Sequence, residues 1–391
     1  MLGRKGFAVL AVILIVALLA GCTQQPASKE QSKPAEQPKA DKIKIGVVAP
    51  LTGDVATFGQ STKNAIELAR DQLNAKGGLL GKQVELVFED DKNDPNETAA
   101  AVKKLISQDK VVAIVGSVAS KCTLAGAPIA QENKIPMITP TSTNEKVTPI
   151  GEYISRACFI DPFQGKVMAK FAGENLKAKA AAMLYDVSND YSKGLAENFK
   201  AAFEAAGGKV VESQTYGKGD QDFHAQLTKI KPTKPDVIFL PDYYNTVGLI
   251  AKQVREVGIK SVLLGGDGWD SEDLVKIGGD AVEGGYFSNH YSVEQKNPEA
   301  VDFIKAYKDK YGKEPDALAA LGYDAVTMLF DAIRRAGKTD GPAVKDAINA
   351  TKNFKAVSGS ITLDANRNPI KSAVVVTIAK GKQKFVTQVN P

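Results

Sequence analysis

Histidine is almost absent from this sequence, and its charges are nearly balanced. Only His224 and His290 occur among 391 residues. Histidine is the side chain most often used as a general base and as a metal ligand. Because the chain has only two, we do not expect a catalytic or metal centre built on histidine. There are 50 Lys and Arg against 45 Asp and Glu, and no dense basic cluster with interleaved aromatics occurs. We therefore expect no nucleic-acid partner.

The sequence also lacks the motifs with which α/β enzymes bind phosphates or hold a nucleophile. No G-x-G-x-x-G follows the first predicted strand, and there is no G-x-S-x-G elbow or His-x-x-x-His pair. Gly337-Lys338-Thr339 resembles the end of a phosphate-binding loop, but Ala332 stands where that motif needs its first glycine. We expect no enzymatic activity, no catalytic residues, no cofactor and no metal.

The apolar stretch near the N-terminus is too short to span a membrane. Residues 6–20 form an uninterrupted apolar run of about 15 residues, whereas a spanning helix needs roughly 20. The run follows two basic residues and ends in Leu19–Cys22, which is typical of a secretion signal and resembles the bacterial lipobox. We predict a signal peptide over 1–21, lipidation of Cys22, and an extracytoplasmic protein anchored by lipid to the cell membrane. The alternative is an uncleaved membrane anchor.

Residues 22–41 contain no large apolar side chain and are rich in Gln, Pro, Ser, Lys and Glu. Such a segment cannot bury a core, so we predict a flexible tether. Beyond it cysteine is scarce, because only Cys122 and Cys158 remain once Cys22 is lipidated. Outside the cytoplasm these two residues can form a disulfide, and two free, buried thiols are the alternative. The sequence leaves both open, because it does not give the distance between their Cα atoms.

From residue 42 onward, short β-branched runs alternate with amphipathic segments in two successive series. This alternation is typical of parallel sheets that are covered by helices on both faces. The predicted strands are 43–48, 84–88, 111–115, 136–139, 180–185, 209–213, 237–240 and 261–264, with closing strands near 361 and over 373–378. The predicted helices are 61–75, 96–108, 124–132, 191–206, 222–230, 246–257, 271–277, 299–311 and 317–336.

The predicted fold is α/β, with two doubly wound parallel-sheet lobes joined by a hinge of several strands. Lobe 1 is expected to comprise residues 42–158 plus about 291–352, and lobe 2 residues 159–290 plus about 353–391. The segments near Phe159, Tyr291 and Asn353 are the candidate crossings. Because ligands bind at the carboxyl ends of parallel strands, we expect a binding cleft between the lobes.

Hydroxyl side chains follow two strands of lobe 1. Ala119 and Ser120 lie where the loop after the third strand enters a helix, and Thr141, Ser142 and Thr143 follow the fourth strand. Free N–H groups and the helix dipole make such a position suitable for an anion. An ordinary helix cap is the alternative for either turn alone, but two turns at the same end of one sheet can converge on one carboxylate.

Lobe 2 offers the complementary chemistry. Asp267 follows a strand within Gly265–Trp269, where a carboxylate facing the cleft can pair with an ammonium group. Tyr191 and Tyr243 also follow strands and can cover a ligand, although simple packing is the alternative for each tyrosine and a turn for the aspartate. An anion site opposite an acid and tyrosines suits a zwitterionic α-amino acid.

Five stretches of the sequence resemble the periplasmic branched-chain amino acid-binding proteins of ATP-driven importers. They are residues 45–53, 78–82, the loop at Ser120, 135–140 and 159–165. The resemblance covers roughly residues 42–385 and implies a type I periplasmic-binding-protein fold whose lobes close around a ligand. It implies that Ser120, Thr141 and Thr143 bind the ligand carboxylate and that Asp267 and Tyr191 hold the amine. It also places Phe58 and Tyr243 at the cleft.

The chain departs from the family pattern at several positions. Asp267 stands where leucine-type members often carry the longer Glu, Leu318 or a neighbour replaces an aromatic, and Trp269 lies beside the site. The expected function is capture of an amino acid, such as leucine, isoleucine or valine, and its delivery to the permease and ATPase of an ABC importer. Alanine, proline, an aromatic residue or an amide are alternative ligands, and a sensor with the same cleft is the alternative function.

Overall fold

The computed structural model describes residues 42–391. The predicted signal peptide, the predicted lipidation site at Cys22 and the whole of the predicted tether lie outside the described residues. No helix within residues 42–391 has the length and apolar character needed to cross a membrane.

The first sheet contains five strands, all parallel, in the order β2-β1-β3-β4-β5. Three helices alternate with its first four strands. The elements are β1 (Ile43–Ala49), α1 (Ala56–Ala75), β2 (Val84–Asp90), α2 (Pro95–Lys104), β3 (Ala113–Val115), α3 (Ser120–Glu132), β4 (Met137–Thr139) and β5 (Ile154–Arg156). This sheet is the centre of lobe 1.

β1 shows why this sheet is covered on both faces. Ile45 and Val47 pack into the core formed with α1, whereas Val48 packs into a second core beneath α2 and α3. Gly46 keeps the second face flat, because a Cβ there would lie 2.8 Å from a methyl carbon of Leu105. Alternate side chains of one strand therefore anchor helices on opposite sides, as a buried parallel strand requires.

Lobe 2 begins after β5 and repeats the βα pattern around a second sheet. Its first strands, β6 to β10, pair in parallel. The elements are α4 (Asp161–Lys170), β6 (Ala180–Asp186), α5 (Asp190–Ala205), β7 (Lys209–Tyr216), α6 (His224–Ile230), β8 (Val237–Phe239), α7 (Tyr244–Glu256), β9 (Val262–Gly265), α8 (Glu272–Gly278) and β10 (Tyr286–Asn289).

The chain then returns to lobe 1 before it completes lobe 2. The helices α9 (Pro298–Tyr311), α10 (Ala317–Ala336) and α11 (Gly341–Asn349) are followed by a small antiparallel sheet of β11 (Phe354–Ala356), β12 (Gly359–Leu363) and β13 (Pro369–Ile370). The hairpin of β14 (Ala373–Ala379) and β15 (Lys382–Val389) closes the second sheet in the order β15-β14-β10-β9-β8-β6-β7. β14 runs antiparallel to β10, so this edge of the predicted parallel sheet is antiparallel.

The third crossing between the lobes differs from the prediction. Ala356, Ile361 and Leu363 are buried in the same core as β1 and α10 of lobe 1. Because the small sheet packs on lobe 1, we infer that residues 353–370 belong to lobe 1 and that the third crossing lies between β13 and β14 rather than near Asn353. We propose 42–158 with about 291–370 for lobe 1, and 159–290 with about 371–391 for lobe 2.

The two cysteines of the described chain are free and buried. Cys122 lies in α3, and Cys158 lies in the first crossing segment, so no disulfide joins the lobes. Burial, as the largest cause, raises the pKa of each thiol to about 12. The reactive thiolate is therefore scarce at neutral pH.

We expect the native protein to be inert toward thiol reagents at pH 8. In a Cys22→Ser variant, Cys122 and Cys158 are the only thiols. Titration with a chromogenic disulfide reagent should detect fewer than one thiol in the native state over minutes and two in denaturant without any reductant. Two thiols missing in denaturant would instead reveal a disulfide.

Candidate functional site

A cavity lies between the lobes at the carboxyl ends of strands from both sheets. The residues that form its walls all follow a strand or begin a helix, at the edges of the two lobes that face each other. They are Phe58, Val118, Ala119, Ser120, Thr141 and Leu318 from lobe 1 and Tyr191, Tyr243, Asp267 and Gly268 from lobe 2. The space accessible to the centre of a water molecule is only about 20 Å³, so the lobes are closed on one another.

Side chains from the two lobes touch at the rim of this cavity. The ring of Phe58 from lobe 1 meets Tyr243 edge-on with centroids 5.7 Å apart, and Tyr244 at 5.0 Å. Elsewhere on the rim, the side-chain amide of Asn144 in lobe 1 donates to the backbone carbonyl of Asp190 in lobe 2 at 2.8 Å. A solute can reach the enclosed walls only when these contacts separate.

The lobe 1 half of the cavity is built around the N-terminus of α3. Ser120 is the first residue of this helix, and its hydroxyl accepts a hydrogen bond from the backbone N–H of Asn144 at 3.3 Å. The Thr141 hydroxyl donates to the carbonyl of Val118 at 2.8 Å. The first turn of a helix carries partial positive charge and unsatisfied N–H groups, so this wall suits an anion.

Ser142 and Thr143 do not line the cavity, although the sequence placed them with Thr141. The Ser142 hydroxyl is hydrogen-bonded to the hydroxyl of Thr123 at 2.7 Å, and the Thr143 carbonyl accepts from the N–H of Asp161 at 2.9 Å. Both residues are fully buried. They fix the turn behind the wall, because successive residues of an extended turn cannot all face one cavity.

A buried arginine supports this turn from behind. Arg156, at the end of β5, is 0% exposed and donates from its two terminal nitrogens to the carbonyls of Ser142 and Asn144, at 2.7 and 2.9 Å. Burial lowers the pKa of its guanidinium. Within residues 42–391, no carboxylate forms an ion pair with it, so its positive charge adds to that of the α3 N-terminus.

The lobe 2 half of the cavity centres on the Asp267 carboxylate, just after β9. One oxygen accepts from the Tyr191 hydroxyl at 2.9 Å and from the Gln164 side-chain amide at 3.1 Å. The other oxygen is 3.1 Å from Nε2 of His290. These donors are neutral when the histidine is neutral, so they orient the carboxylate without cancelling its charge.

Two tyrosines cover this carboxylate. The rings of Tyr191 and Tyr243 stack with centroids 5.2 Å apart and planes 2° apart. Burial raises the pKa of Tyr191 well above its ordinary value, so its hydroxyl remains a donor. That hydroxyl also accepts from the N–H of Gly268 at 3.0 Å, and a Cβ on Gly268 would approach it to 3.0 Å.

Trp269 does not reach the cavity, although the sequence placed it beside the site. Its side chain is fully buried in the lobe 2 core, and its indole N–H donates to the carbonyl of Leu240 at 2.9 Å. The tryptophan therefore supports the strand edge from which Asp267 projects. The other predicted residues, Ser120, Ala119, Thr141, Tyr191, Asp267, Phe58 and Tyr243, all line the cavity.

Sequence reasoning missed the supporting residues. Gln164 and His290 lie outside the walls but hydrogen-bond to Asp267. Arg156 lies one layer further back and holds the turn that follows Thr141. Gln164 falls inside the matched stretch 159–165, which was the only signal for it, and nothing in the local pattern marked Arg156 or His290. The resulting arrangement places an electropositive wall opposite a carboxylate across one apolar cavity.

Comparison with known proteins gives the same fold and the same class. A family model described as periplasmic binding protein matches residues 42–383. A Leu/Ile/Val-binding protein homologue of Brucella melitensis is 35% identical over 82% of this chain and 86% of its own. The leucine-binding protein LivK of Thermotoga maritima is 45% identical with a TM-score of 0.86, over 89% of this chain and 99% of that one.

A third relative was solved with a ligand. The branched-chain amino acid transporter substrate-binding protein LivJ of Streptococcus pneumoniae, in complex with isoleucine, is 35% identical with a TM-score of 0.85. It covers 90% of this chain and all of its own. These relatives are binding proteins and not enzymes, as the sequence predicted for this chain. The chain belongs to the periplasmic binding protein family, in the group of branched-chain amino acid ABC transporter substrate-binding proteins.

Proposed function

We propose that this protein is an extracytoplasmic, lipid-anchored receptor that captures leucine, isoleucine or valine and delivers it to an ABC importer. The observation that carries the proposal is the single cavity with Ser120 and Thr141 on one side and Asp267 and Tyr191 on the other. A free α-amino acid has the matching pair of charges, because its ammonium and carboxylate groups are attached to the same carbon atom. The lobes thus need only one small molecule to satisfy both walls.

The carboxylate of the ligand belongs on lobe 1. There it accepts hydrogen bonds from the Ser120 hydroxyl and from N–H groups at the start of α3. The Thr141 hydroxyl, which donates to the Val118 carbonyl in the closed structure, joins them when it turns its one proton toward the ligand. The ammonium group belongs on lobe 2, where it donates to Asp267. Each charge-assisted hydrogen bond contributes about 1.5–3 kcal/mol net. About three or four of them, with burial of an alkyl side chain, are consistent with micromolar affinity, which corresponds to about 8 kcal/mol.

The remaining walls suit an aliphatic side chain. Phe58, Val118, Ala119, Tyr243 and Leu318 present carbon surface to the cavity, and none of them carries a charge. LivJ, which shares the fold over nearly the whole described chain, was solved with isoleucine. Branched aliphatic amino acids are therefore the first candidates, and closure of the lobes over them removes their apolar surface from water.

A thermal-shift screen should identify the ligand. We expect leucine, isoleucine or valine to raise the melting temperature, because a ligand at about 100 times its Kd adds about 2.7 kcal/mol of stability. The panel should include alanine, proline, phenylalanine, glutamine and benzoate at equal concentrations. A larger shift from one of these than from any branched-chain amino acid would reject the proposed ligand class.

Calorimetry on site variants should test the two charged walls. We expect Asp267→Asn and Ser120→Ala each to weaken binding of the identified amino acid about tenfold or more, because each loses a charge-assisted hydrogen bond. The exposed Asp280 provides a control, since Asp280→Asn makes the same chemical change in lobe 2 away from the cavity. Its affinity should equal that of the unaltered protein.

Ligand analogues make this test specific for each wall. For a leucine binder, 4-methylpentanoate lacks the ammonium group and 3-methylbutylamine lacks the carboxylate. Asp267→Asn should not weaken the binding of 4-methylpentanoate, because this analogue has no ammonium group to contact Asp267. Likewise, Ser120→Ala should not weaken the binding of 3-methylbutylamine, which has no carboxylate to contact Ser120. Equal losses for leucine and both analogues would show that the substitutions disturb the cavity generally and would contradict the assignment of the walls.

The lipid anchor is supported by the sequence around Cys22. We expect Cys22→Ser to move the protein from the membrane fraction to the soluble fraction of its host, because the acceptor thiol for lipid is lost. Cys122→Ser is the matched control and should stay with the membrane, since Cys122 is buried in the folded body. Membrane retention of both variants would contradict lipid anchoring at Cys22.

A further inference from the structure

His290 joins the hinge to the site. It follows β10 directly, where the chain leaves lobe 2, and its side chain is only 1% exposed. Its ring stacks on Phe159, with centroids 3.6 Å apart and planes inclined by 26°. Phe159 lies in the first crossing segment, between β5 and α4. Two of the three crossings therefore pack against each other through this pair of rings.

The hydrogen bond to Asp267 fixes the tautomer of this histidine. Nε2 lies 3.1 Å from the carboxylate oxygen that Tyr191 and Gln164 do not hold, so Nε2 carries the proton and donates it. The other ring nitrogen, Nδ1, is buried and has no hydrogen-bond partner within residues 42–391. Protonating Nδ1 would bury a donor without an acceptor, so the neutral ring is favoured while the lobes are closed.

The charged groups around the ring act in opposite directions. Burial is the largest cause that lowers the pKa of His290, and the nearby Lys371 also lowers it, whereas Asp267 raises it. The buried carboxyl groups of Asp161 and Asp270 hydrogen-bond to the side chains of Gln164 and Asn289, and each also interacts electrostatically with Asp267. Asp267 is therefore the one carboxylate that hydrogen-bonds directly to His290.

We propose that His290 is a positioning residue that aims the Asp267 carboxylate at the ligand ammonium group, and that protonation of His290 opposes ligand binding. This inference rests on the proposed function. A neutral imidazole orients the carboxylate and leaves its negative charge for the ligand. An imidazolium would form an ion pair with the same carboxylate and would repel the ammonium group across it.

The sign of the pH effect follows from this competition. The ligand ammonium disfavours the charged imidazole, so binding releases a proton wherever the unliganded protein has His290 protonated. Affinity is then highest above the pKa of His290 in the unliganded protein and falls as the pH falls through it. One linked proton limits the slope to about tenfold per pH unit. In the closed structure, burial is the largest cause that holds the pKa of His290 below its ordinary value of about 6.5.

Two substitutions separate the parts of this role. His290→Gln places an amide donor near the position of Nε2 but cannot be protonated, and His290→Phe keeps an aromatic ring for Phe159 but removes the donor. We expect calorimetry at pH 7.5 to show a loss of about twofold to fivefold for Gln and about tenfold for Phe. Between pH 7.5 and 5.5 the affinity of the unaltered protein should fall about threefold to tenfold, and that of His290→Gln clearly less.

Comparing His290→Gln with the unaltered protein controls for other groups that titrate in this pH range. Burial raises the pKa of Asp161 to about 7, so this residue also titrates in the range. It is present in both proteins, so the difference between their pH profiles reports His290 together with its coupling to Asp161 through Asp267. His224→Gln is the matched control, because His224 is half-exposed on α6 and paired with Asp222. Its pH dependence should equal that of the unaltered protein, and equal profiles for His290→Gln would overturn the proposal.

Proton NMR of the histidine rings tests the proposal without any change at the site. The chain has two histidines, so the His224→Gln spectrum assigns both. We expect saturating ligand to lower the pKa of His290 and to leave the chemical shifts of the His224 ring unchanged. Ligand binding with no shift at His290 would overturn this inference alone. Failure of every amino acid to bind at either pH would overturn the proposed function and this inference with it.

Discussion

The structure depends on one uncompensated negative charge at the end of β9. The Asp267 carboxylate is held by a tyrosine hydroxyl, a glutamine amide and a histidine ring, all of them able to donate without bringing positive charge. Burying a carboxylate in this way is costly unless an opposite charge arrives. The lobe 2 site is thus organised before any ligand is bound, and it is electrostatically complete only with a cation.

Parallel topology explains why the matching wall lies opposite. In both sheets the chain leaves each parallel strand at the same edge and enters a helix there. Ser120 follows β3, Thr141 follows β4, and Tyr243 follows β8, so residues far apart in sequence share one cleft. The crossings at Phe159 and His290 then place the two edges face to face. The fold therefore determines the site, because the loops that connect strands to the following elements also carry the residues that line the cleft.

The βα alternation predicted most of the elements that carry the wall residues, because the apolar residues of long buried elements such as β1 and α10 show a clear pattern. It missed β5, β10, β11 and β13, which are too short to show a period, and β15, whose exposed side chains do not resemble a buried strand. It also missed the helices α4 and α11, so the elements next to Gln164 and His290 were not predicted. The turn residues were harder to assign. Thr141 faces the cavity whereas Ser142 and Thr143 do not, and only tertiary hydrogen bonds distinguish these neighbours.

Arg156 and Asp267 give the two lobes opposite, unpaired charges. The guanidinium lies behind the Thr141 turn and donates to backbone carbonyls, whereas the Asp267 carboxylate lies in the lobe 2 wall and accepts from neutral donors. Among residues 42–391, neither charge forms an ion pair with a permanently charged side chain, although the more distant Asp161 and Glu145 favour the charged guanidinium. A zwitterion supplies the missing countercharge to each wall at once, whereas a simple acid or a simple amine supplies one and leaves the other buried. Selectivity for an amino acid thus depends on the unpaired charge in each lobe as much as on the direct contacts between the cavity walls and the ligand.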